Sequence, residues 1–385
     1  MFNPYSNINW ESVNRIPSAT HMHIPNQQIL ENGYQYGMRH FPISNYYPSA
    51  PHDENTRRSD FTLHQHWPAK LLNGETLSPP INWNEIITWQ DELVEPFSTN
   101  LPFSEEELMF PNVPEDLIFS PNAEHHGFTN SKAHICCPGS SFISGNIDPQ
   151  GNKYNLHKHG FIVGFGDTWQ NAFDLIFKEL KFADAGGITI NHPTWFSKLP
   201  EAQIFEMLDY DERVLGIEIY NDSVGRKDWS IDPNYEPPDE KKYGYSTNLW
   251  DKILGTGRRC WGFSVPDHGV ELGADWKGRN ILLVPEFTDY NCLKAYRHGN
   301  FYGCLKDNGL RVLSFNASES KLEVKTNRQA TFKFITEKGI VKQSDGYEAC
   351  FEISQEKNNL NLVFARLEIS DNTGECLFLQ PIMYS

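Results

Sequence analysis

Short apolar runs alternate with amphipathic stretches from about residue 19 to residue 294. Short apolar runs at 18–23, 40–44, 117–124, 133–137, 187–191, 214–220, 259–265 and 280–284 are the strand candidates. Between several of them, 172–183, 201–208 and 247–254 carry apolar residues at helical spacing. Such alternation predicts parallel strands joined by crossover helices, hence an α/β fold. With about seven or eight such units, a distorted, roughly seven-stranded β/α barrel is expected in place of an open sheet.

Two stretches interrupt the rhythm. Residues 50–116, rich in Pro, Trp, Asn and acidic groups, read as an insertion. Residues 222–245, with Pro233, Pro237, Pro238 and the run Asp239-Glu240-Lys241-Lys242, read as an exposed loop. From about Phe301 the pattern changes to short alternating segments at 310–315, 321–325, 331–335, 347–353, 360–369 and 376–382. Turn signals such as Ser344-Asp345-Gly346 and Asp371-Asn372-Thr373-Gly374 separate them, which predicts a small antiparallel β-domain. The expected division is therefore a body over 1–298, insertion included, and a β-domain over 299–385.

Charge narrows the function classes. Lys plus Arg number 33 against 50 Asp plus Glu, a net charge of −17, which opposes nucleic-acid binding. No apolar run approaches membrane-spanning length, and residues 1–10 lack the basic start and apolar core of a signal peptide. The 7 cysteines are an odd count without zinc-finger spacing. Buried free thiols in a reducing, cytoplasmic compartment are expected. A small-molecule substrate fits this picture better than nucleic acid or membrane.

The chemistry sits at strand ends. In Thr20-His21-Met22-His23, side chains two apart on a strand point the same way and aim two imidazoles at one place, as a metal requires. Alone, His-x-His is more often a polar strand end. Four further pieces accompany it: Asn122-Ala123-Glu124-His125-His126, Lys132-Ala133-His134, Asn191-His192-Pro193, and Val265-Pro266-Asp267-His268. In a β/α barrel the C-terminal strand ends meet on one face, so residues far apart in sequence can converge there.

The order His-x-His, Glu, His, His-Pro, then Asp resembles the polymerase-and-histidinol-phosphatase (PHP) family of metallohydrolases, in the branch with a C-terminal β-domain and ester- or carbamate-cleaving members. Supporting phrases are Asn3-Pro4-Tyr5 with Trp10, Gly216-Ile217-Glu218-Ile219-Tyr220-Asn221, Trp250-Asp251-Lys252-Ile253-Leu254, Gly257-Arg258-Arg259, Arg366-Leu367-Glu368 and Gln380-Pro381-Ile382. The resemblance spans nearly the whole chain outside the insertion. It implies one metal held by His21, His23, Glu124 and Asp267. A second would be held by His134, His192 and a bridging Glu124. Imidazole mixed with carboxylate suits zinc, manganese or iron.

Three departures fall where the family places a third metal. Ile24-Pro25-Asn26-Gln27 lacks a His or Asp, Ser44-Asn45-Tyr46 replaces Thr-Asp-His, and Asp267-His268-Gly269 replaces Asp-x-His. The coherent loss implies two divalent metal ions, with either Asp267 or His268 as the last ligand. The resemblance implies a metal-dependent hydrolase, a phosphoesterase first and a carboxylic or carbamate esterase second. A non-catalytic metal- or ligand-binding module stands as the competing reading. His125, His126 and His268 are candidates for a general acid, and Arg258 or Arg259 for a fork on a phosphate or carboxylate. Asn45 and Tyr46 are pocket candidates, and Glu218 a structural carboxylate. Of Cys136 and Cys137, at most one can face the site, because neighbours on a strand point oppositely.

Overall fold

The computed structural model describes residues 1–24, 27–44, 112–142, 168–195, 199–223, 244–267, 278–353 and 362–384, with short strand segments within 62–82 and 146–162. Most of the 50–116 insertion and of the 222–245 loop lies outside the described residues, as do Asn45, Tyr46 and His268. The architecture is mixed α/β. Contacts divide the chain into two compact units: Met1–Ala19 with His192–Gly269 and Ala274–Ser385, and Thr20–Asn191 with Val270–Gly273. The first unit is thus made of both ends of the chain.

In this first unit, β1 (Asn14–Ser18) lies antiparallel to β9 (Gly278–Val284), with Ile16 opposite Leu282. β9 pairs antiparallel with β10 (Phe301–Leu305), and β10 with β15 (Cys376–Leu379). β15 leads to β14 (Phe364–Ser370), which also pairs with β16 (Ile382–Met383). β14 then pairs with the long β12 (Lys321–Thr336), which carries β11 (Val312–Ala317) and β13 (Gly339–Glu352). Leu322, Val324, Phe332, Phe334, Leu367 and Ile369 share one core with Tyr5, Ile281 and Leu283. The Tyr5 hydroxyl donates to Phe301 O at 2.8 Å and accepts from Gln380 N at 2.7 Å, tying residues at opposite ends of the chain.

The expected strand–helix–strand crossover appears in β7 (Val214–Asn221), α4 (Thr247–Gly255) and β8 (Trp261–Val265), where the two strands are parallel. α3 (Glu201–Tyr210) precedes β7 and buries Ile204 and Met207. α4 buries Trp250, whose Nε1 donates to Cys260 O at 2.8 Å. The ring lies so close to β8 that a Cβ at Gly262 would stand 2.8 Å from it. α5 (Asp289–His298) is capped by the Thr288 side chain, which accepts from Asn291 N. It ends at Gly299, whose φ of 73° and N–H returned to the last turn make a left-handed C-cap. Tyr296 on α5 donates to Ser18 Oγ at 2.7 Å and anchors the end of β1.

A buried guanidinium joins α4 to β14. Arg366 is 2% exposed and forms a fork with both oxygens of Asp251, with Nη2–Oδ2 at 2.8 Å. Its Nη1 donates to Glu368 Oε1 at 2.8 Å, and its plane lies 4.8 Å over the Trp250 ring. Burial raises the Asp251 carboxyl pKa, and the guanidinium opposes that rise.

The second unit contains α1 (Gln27–Gln35) and the parallel pair β2 (His40–Pro42) and β3 (Ile118–Ser120). It also holds a three-stranded antiparallel ladder of β4 (Glu124–His125), β5 (Ile135–Cys136) and β6 (Ile188–Ile190). Between the last two strands, α2 (Trp169–Lys178) starts where Thr168 accepts from Asn171 N. The expectation of parallel strands throughout is corrected here and at β1–β9. Apolar runs of two to seven residues mark strands without fixing the direction of their partners.

Candidate metal centre

Glu124 occupies the middle of a buried polar group in the second unit. In the ladder it stands opposite Cys136, which in turn faces Thr189. Alternation puts Glu124, His134, Cys136, Thr189 and Asn191 on one face and His125, Ile135, Cys137 and Ile190 on the other. The hydrogen bonds obey that division. Glu124 Oε1 lies 3.1 Å from His134 Nδ1 and accepts from Asn191 Nδ2 at 3.1 Å.

The other carboxylate oxygen faces the His-x-His pair. Glu124 Oε2 is 3.3 Å from His21 Nε2 and 3.3 Å from His23 Nε2, and the two imidazole nitrogens are 3.1 Å apart. His21, His23 and Glu124 are 0%, 3% and 1% exposed. The strand expected at 18–23 is displaced, because β1 ends at Ser18 and the histidines follow it. The chain is nevertheless pinned there: Met22 N donates to Ser44 Oγ at 2.9 Å and Ser44 N to Met22 O at 2.9 Å. Asn122 holds the neighbourhood together, donating to Thr20 O and Pro42 O at 2.8 Å each and accepting from Cys137 N at 2.8 Å.

The three donor atoms fit a divalent cation by size as well as chemistry. Metal–nitrogen and metal–oxygen bonds of about 2.0–2.1 Å in a tetrahedral shell place neighbouring ligand atoms about 3.3–3.4 Å apart. The edges of 3.1, 3.3 and 3.3 Å fall near that value. Two imidazoles and one carboxylate form a donor set for zinc, manganese or iron. His134, with 22% of its side chain exposed, meets the second oxygen of the same carboxylate, and its ring stacks on His126 at 4.7 Å.

The first unit holds His192 and Asp267 through its own network. His192 N donates to Glu218 Oε2 at 2.7 Å, and Asn221 Nδ2 reaches Glu218 Oε2 at 2.8 Å and Asp267 Oδ2 at 3.0 Å. Glu218, expected to be structural, is thus the acceptor that fixes the backbone of a predicted ligand. Both His192 and Asp267 have positive φ, 24° and 52°, a conformation costly for residues with a Cβ.

His125 stands apart from the Glu124 carboxylate. It is on the opposite face of β4, where its ring stacks on Phe142 at 5.2 Å and its Nε2 lies 3.2 Å from Cys137 Sγ. Burial pulls its pKa down to about 3 and pushes the Cys137 thiol up to about 12. Both are neutral at physiological pH, so this Cys–His contact is no nucleophile–base pair. Cys136 is the thiol on the Glu124 face. Arg258 forms an ion pair with Asp209, with Nε–Oδ1 at 2.9 Å and Nη2–Oδ2 at 2.8 Å, and lies 4.4 Å over the Phe205 ring. Its fork is occupied by a protein carboxylate. Arg259 donates to Glu212 O and lies 5.6 Å from the Trp261 ring.

A further set with metal-ligand chemistry, Cys304, Asp307 and Glu375, lies in the first unit. There the carboxylates are matched by cations: Arg311 to Asp307 at 2.6 Å, and Arg328 to both Glu375 and Asp371. Guanidinium charge already fills the place of an ion. Asn122, Asn191 and Asn221 are the members that sequence reasoning missed. The one signal for Asn191 and Asn122 is their position within the strand-end motifs.

No family model matches the chain, and no curated protein matches it. The chain is similar to a solved structure described as a two-domain protein containing predicted PHP-like metal-dependent phosphoesterase from Bacteroides vulgatus ATCC 8482. That similarity amounts to 11% sequence identity, coverage of 95% of this chain and 89% of that chain, and a TM-score of 0.40.

Proposed function

We propose that this protein is a metal-dependent hydrolase of the PHP type, a phosphoesterase acting on a small phosphate ester, built on a distorted β/α barrel. The observation that carries the reading is the buried triangle of His21 Nε2, His23 Nε2 and Glu124 Oε2, with edges of 3.1–3.3 Å. By the motif order, Asp267 would join the same ligand set, and His134 and His192 together with Glu124 would hold a second ion. When bound, divalent cations supply Lewis acidity and a water of lowered pKa.

The chain's own residues hold and orient. Asn221 keeps the Asp267 carboxylate in place, and Glu218 fixes the backbone of His192. His21 and His23, buried on either side of one carboxylate oxygen, exclude bulk water from it. His268 is assigned the protonation of the leaving group.

The test is elemental analysis of wild-type protein and Glu124→Ala after metal repletion, alongside hydrolysis of p-nitrophenyl phosphate and carboxylate esters. Metal bound by the wild type and lost with hydrolysis in a folded Glu124→Ala is the expected result. A wild type that binds no metal, or a variant that keeps it, refutes the reading. Hydrolysis of carboxylate but not phosphate esters would replace the substrate class and leave the site standing.

A further inference from the structure

Asn191 is 2% exposed and lies one residue beyond β6, at the end of the ladder that carries Glu124. Its backbone N–H donates to His134 O at 2.9 Å, so it also sets the height of His134. Its side-chain nitrogen has two acceptors: Glu124 Oε1 at 3.1 Å and Cys136 Sγ at 3.2 Å. The amide oxygen lies 3.5 Å from Thr189 Oγ1. An ionised carboxylate only accepts hydrogen bonds, so a flipped amide would set oxygen against oxygen. The Glu124 contact therefore selects the amide's orientation, and the Cys136 contact supports it.

The carboxylate can turn about the last bond of its side chain, and the Asn191 amide holds Oε1 alongside the His134 ring. A half-turn about that bond only exchanges two equivalent oxygens, but a partial turn tilts the carboxylate plane, breaks the Asn191 contact and carries Oε2 away from the His-x-His pair. We propose that Asn191 is a positioning residue: its amide pins Oε1 of Glu124 so that Oε2 stays between His21 and His23. The inference rests on the reading of His21, His23 and Glu124 as metal ligands. It explains why the residue before His192 is a buried asparagine, where an apolar side chain would otherwise complete the ladder. Partners that hold a ligand in place typically alter metal affinity by about 10–100-fold when removed.

The experiment uses Co²⁺ as the probe, with dissociation constants from chelator competition and the visible spectrum of the loaded protein. Wild type, Glu124→Ala, Asn191→Leu, Asn191→Ser and Cys136→Ala are compared, with urea midpoints of each metal-free protein. Leu keeps the branched shape of Asn without a donor, and Ser covers the case in which the bulkier Leu does not fold. Either Asn191 variant is expected to weaken Co²⁺ binding by about 10–100-fold and to change the cobalt spectrum. Cys136→Ala, which leaves the amide on Glu124, is expected to keep both near the wild type. A merely structural asparagine would lower the urea midpoint while the folded protein kept its Co²⁺ affinity and spectrum, and that result overturns the proposal. Loss of affinity in Cys136→Ala equal to that in Asn191→Leu also overturns it. Failure of the wild type to bind Co²⁺ sinks the underlying metal reading, whereas binding lost only in Glu124→Ala sinks the role of Asn191 alone.

Discussion

Replacing Arg366 with Met tests how the first unit is held together. The thioether keeps most of the aliphatic stem over Trp250 and deletes the guanidinium alone. Three hydrogen bonds to Asp251 and Glu368 vanish, all charge-assisted. Breaking a buried ion pair from one side costs about 3–5 kcal/mol, mostly because the partner charge is stranded. The stranded side chains here retain 25% and 20% exposure, so water partly replaces the lost cation. The lower end, about 3 kcal/mol at neutral pH, is therefore expected.

Without Arg366 the Asp251 pKa rises further, since burial already raises it and the guanidinium opposes that rise. A carboxyl with a folded-state pKa above its unfolded value destabilises at high pH and stops doing so once protonated. The deficit of Arg366→Met relative to wild type should thus be largest at pH 7.5 and shrink toward pH 5. Adding Asp251→Asn should recover about 1–2 kcal/mol at pH 7.5, because a neutral amide needs no cation. Equilibrium unfolding in urea at the two pH values measures all three proteins. A deficit below about 1 kcal/mol, or none recovered by Asp251→Asn, would show that the carboxylates are hydrated well enough to do without the guanidinium.

Three other outcomes are expected. His125, with its pKa drawn down to about 3, stays neutral in the folded protein while the unfolded chain takes up a proton near pH 6.5. Stability should therefore fall by about 2 kcal/mol between pH 6.5 and 5 from this group. Urea midpoints of His125→Gln should be flatter with pH by one proton, and equal slopes would mean that His125 titrates normally. Gly262→Ala would force a methyl to 2.8 Å from the Trp250 ring and should cost about 1–3 kcal/mol, with altered tryptophan fluorescence; unchanged stability would place Trp250 elsewhere. Asn122→Ala strands two buried carbonyls and one N–H that the side chain now serves and should cost about 3 kcal/mol by denaturation. A loss under about 1 kcal/mol would mean that water takes the place of the amide.

The convergence of His21, His23 and Glu124 was legible because each of them carries a local signal. His-x-His stands out in any sequence, and Glu124 closes an apolar run. The ladder around it was less so. β4, β5 and β6 hold two or three residues each, too few for alternation to reveal that they run antiparallel. β1 was missed because Asn14, Arg15 and Pro17 break the apolar pattern, and pairing with β9 decides its place. β12 reads as two strands because Thr326–Gln329 is polar, whereas the strand continues through a register shift between Lys325 and Ala330. Asn122 and Asn191 are marked in the sequence by their place in the strand-end motifs and by nothing else, since buried amides are defined by the groups they bridge. The opposite sides taken by His125 and Glu124 followed from the alternation of neighbours, which outranks proximity in sequence.

The way the chain composes its two units has a consequence for its birth on the ribosome. The unit of Thr20–Asn191 is almost contiguous and can begin to form while the rest is still being made. Its companion needs both ends: β1 waits for β9, and Tyr5 waits for Phe301 and Gln380. At synthesis rates of about 5–20 residues per second, β1 remains without β9, which is complete at Val284, for roughly 5–20 s after residue 191 is joined. During that interval Asn14–Ser18 is an unpaired strand carrying Arg15 and Pro17, a composition that discourages pairing with another nascent chain. Chaperone demand should accordingly fall late in translation, when the final β-strands emerge and let the two ends meet.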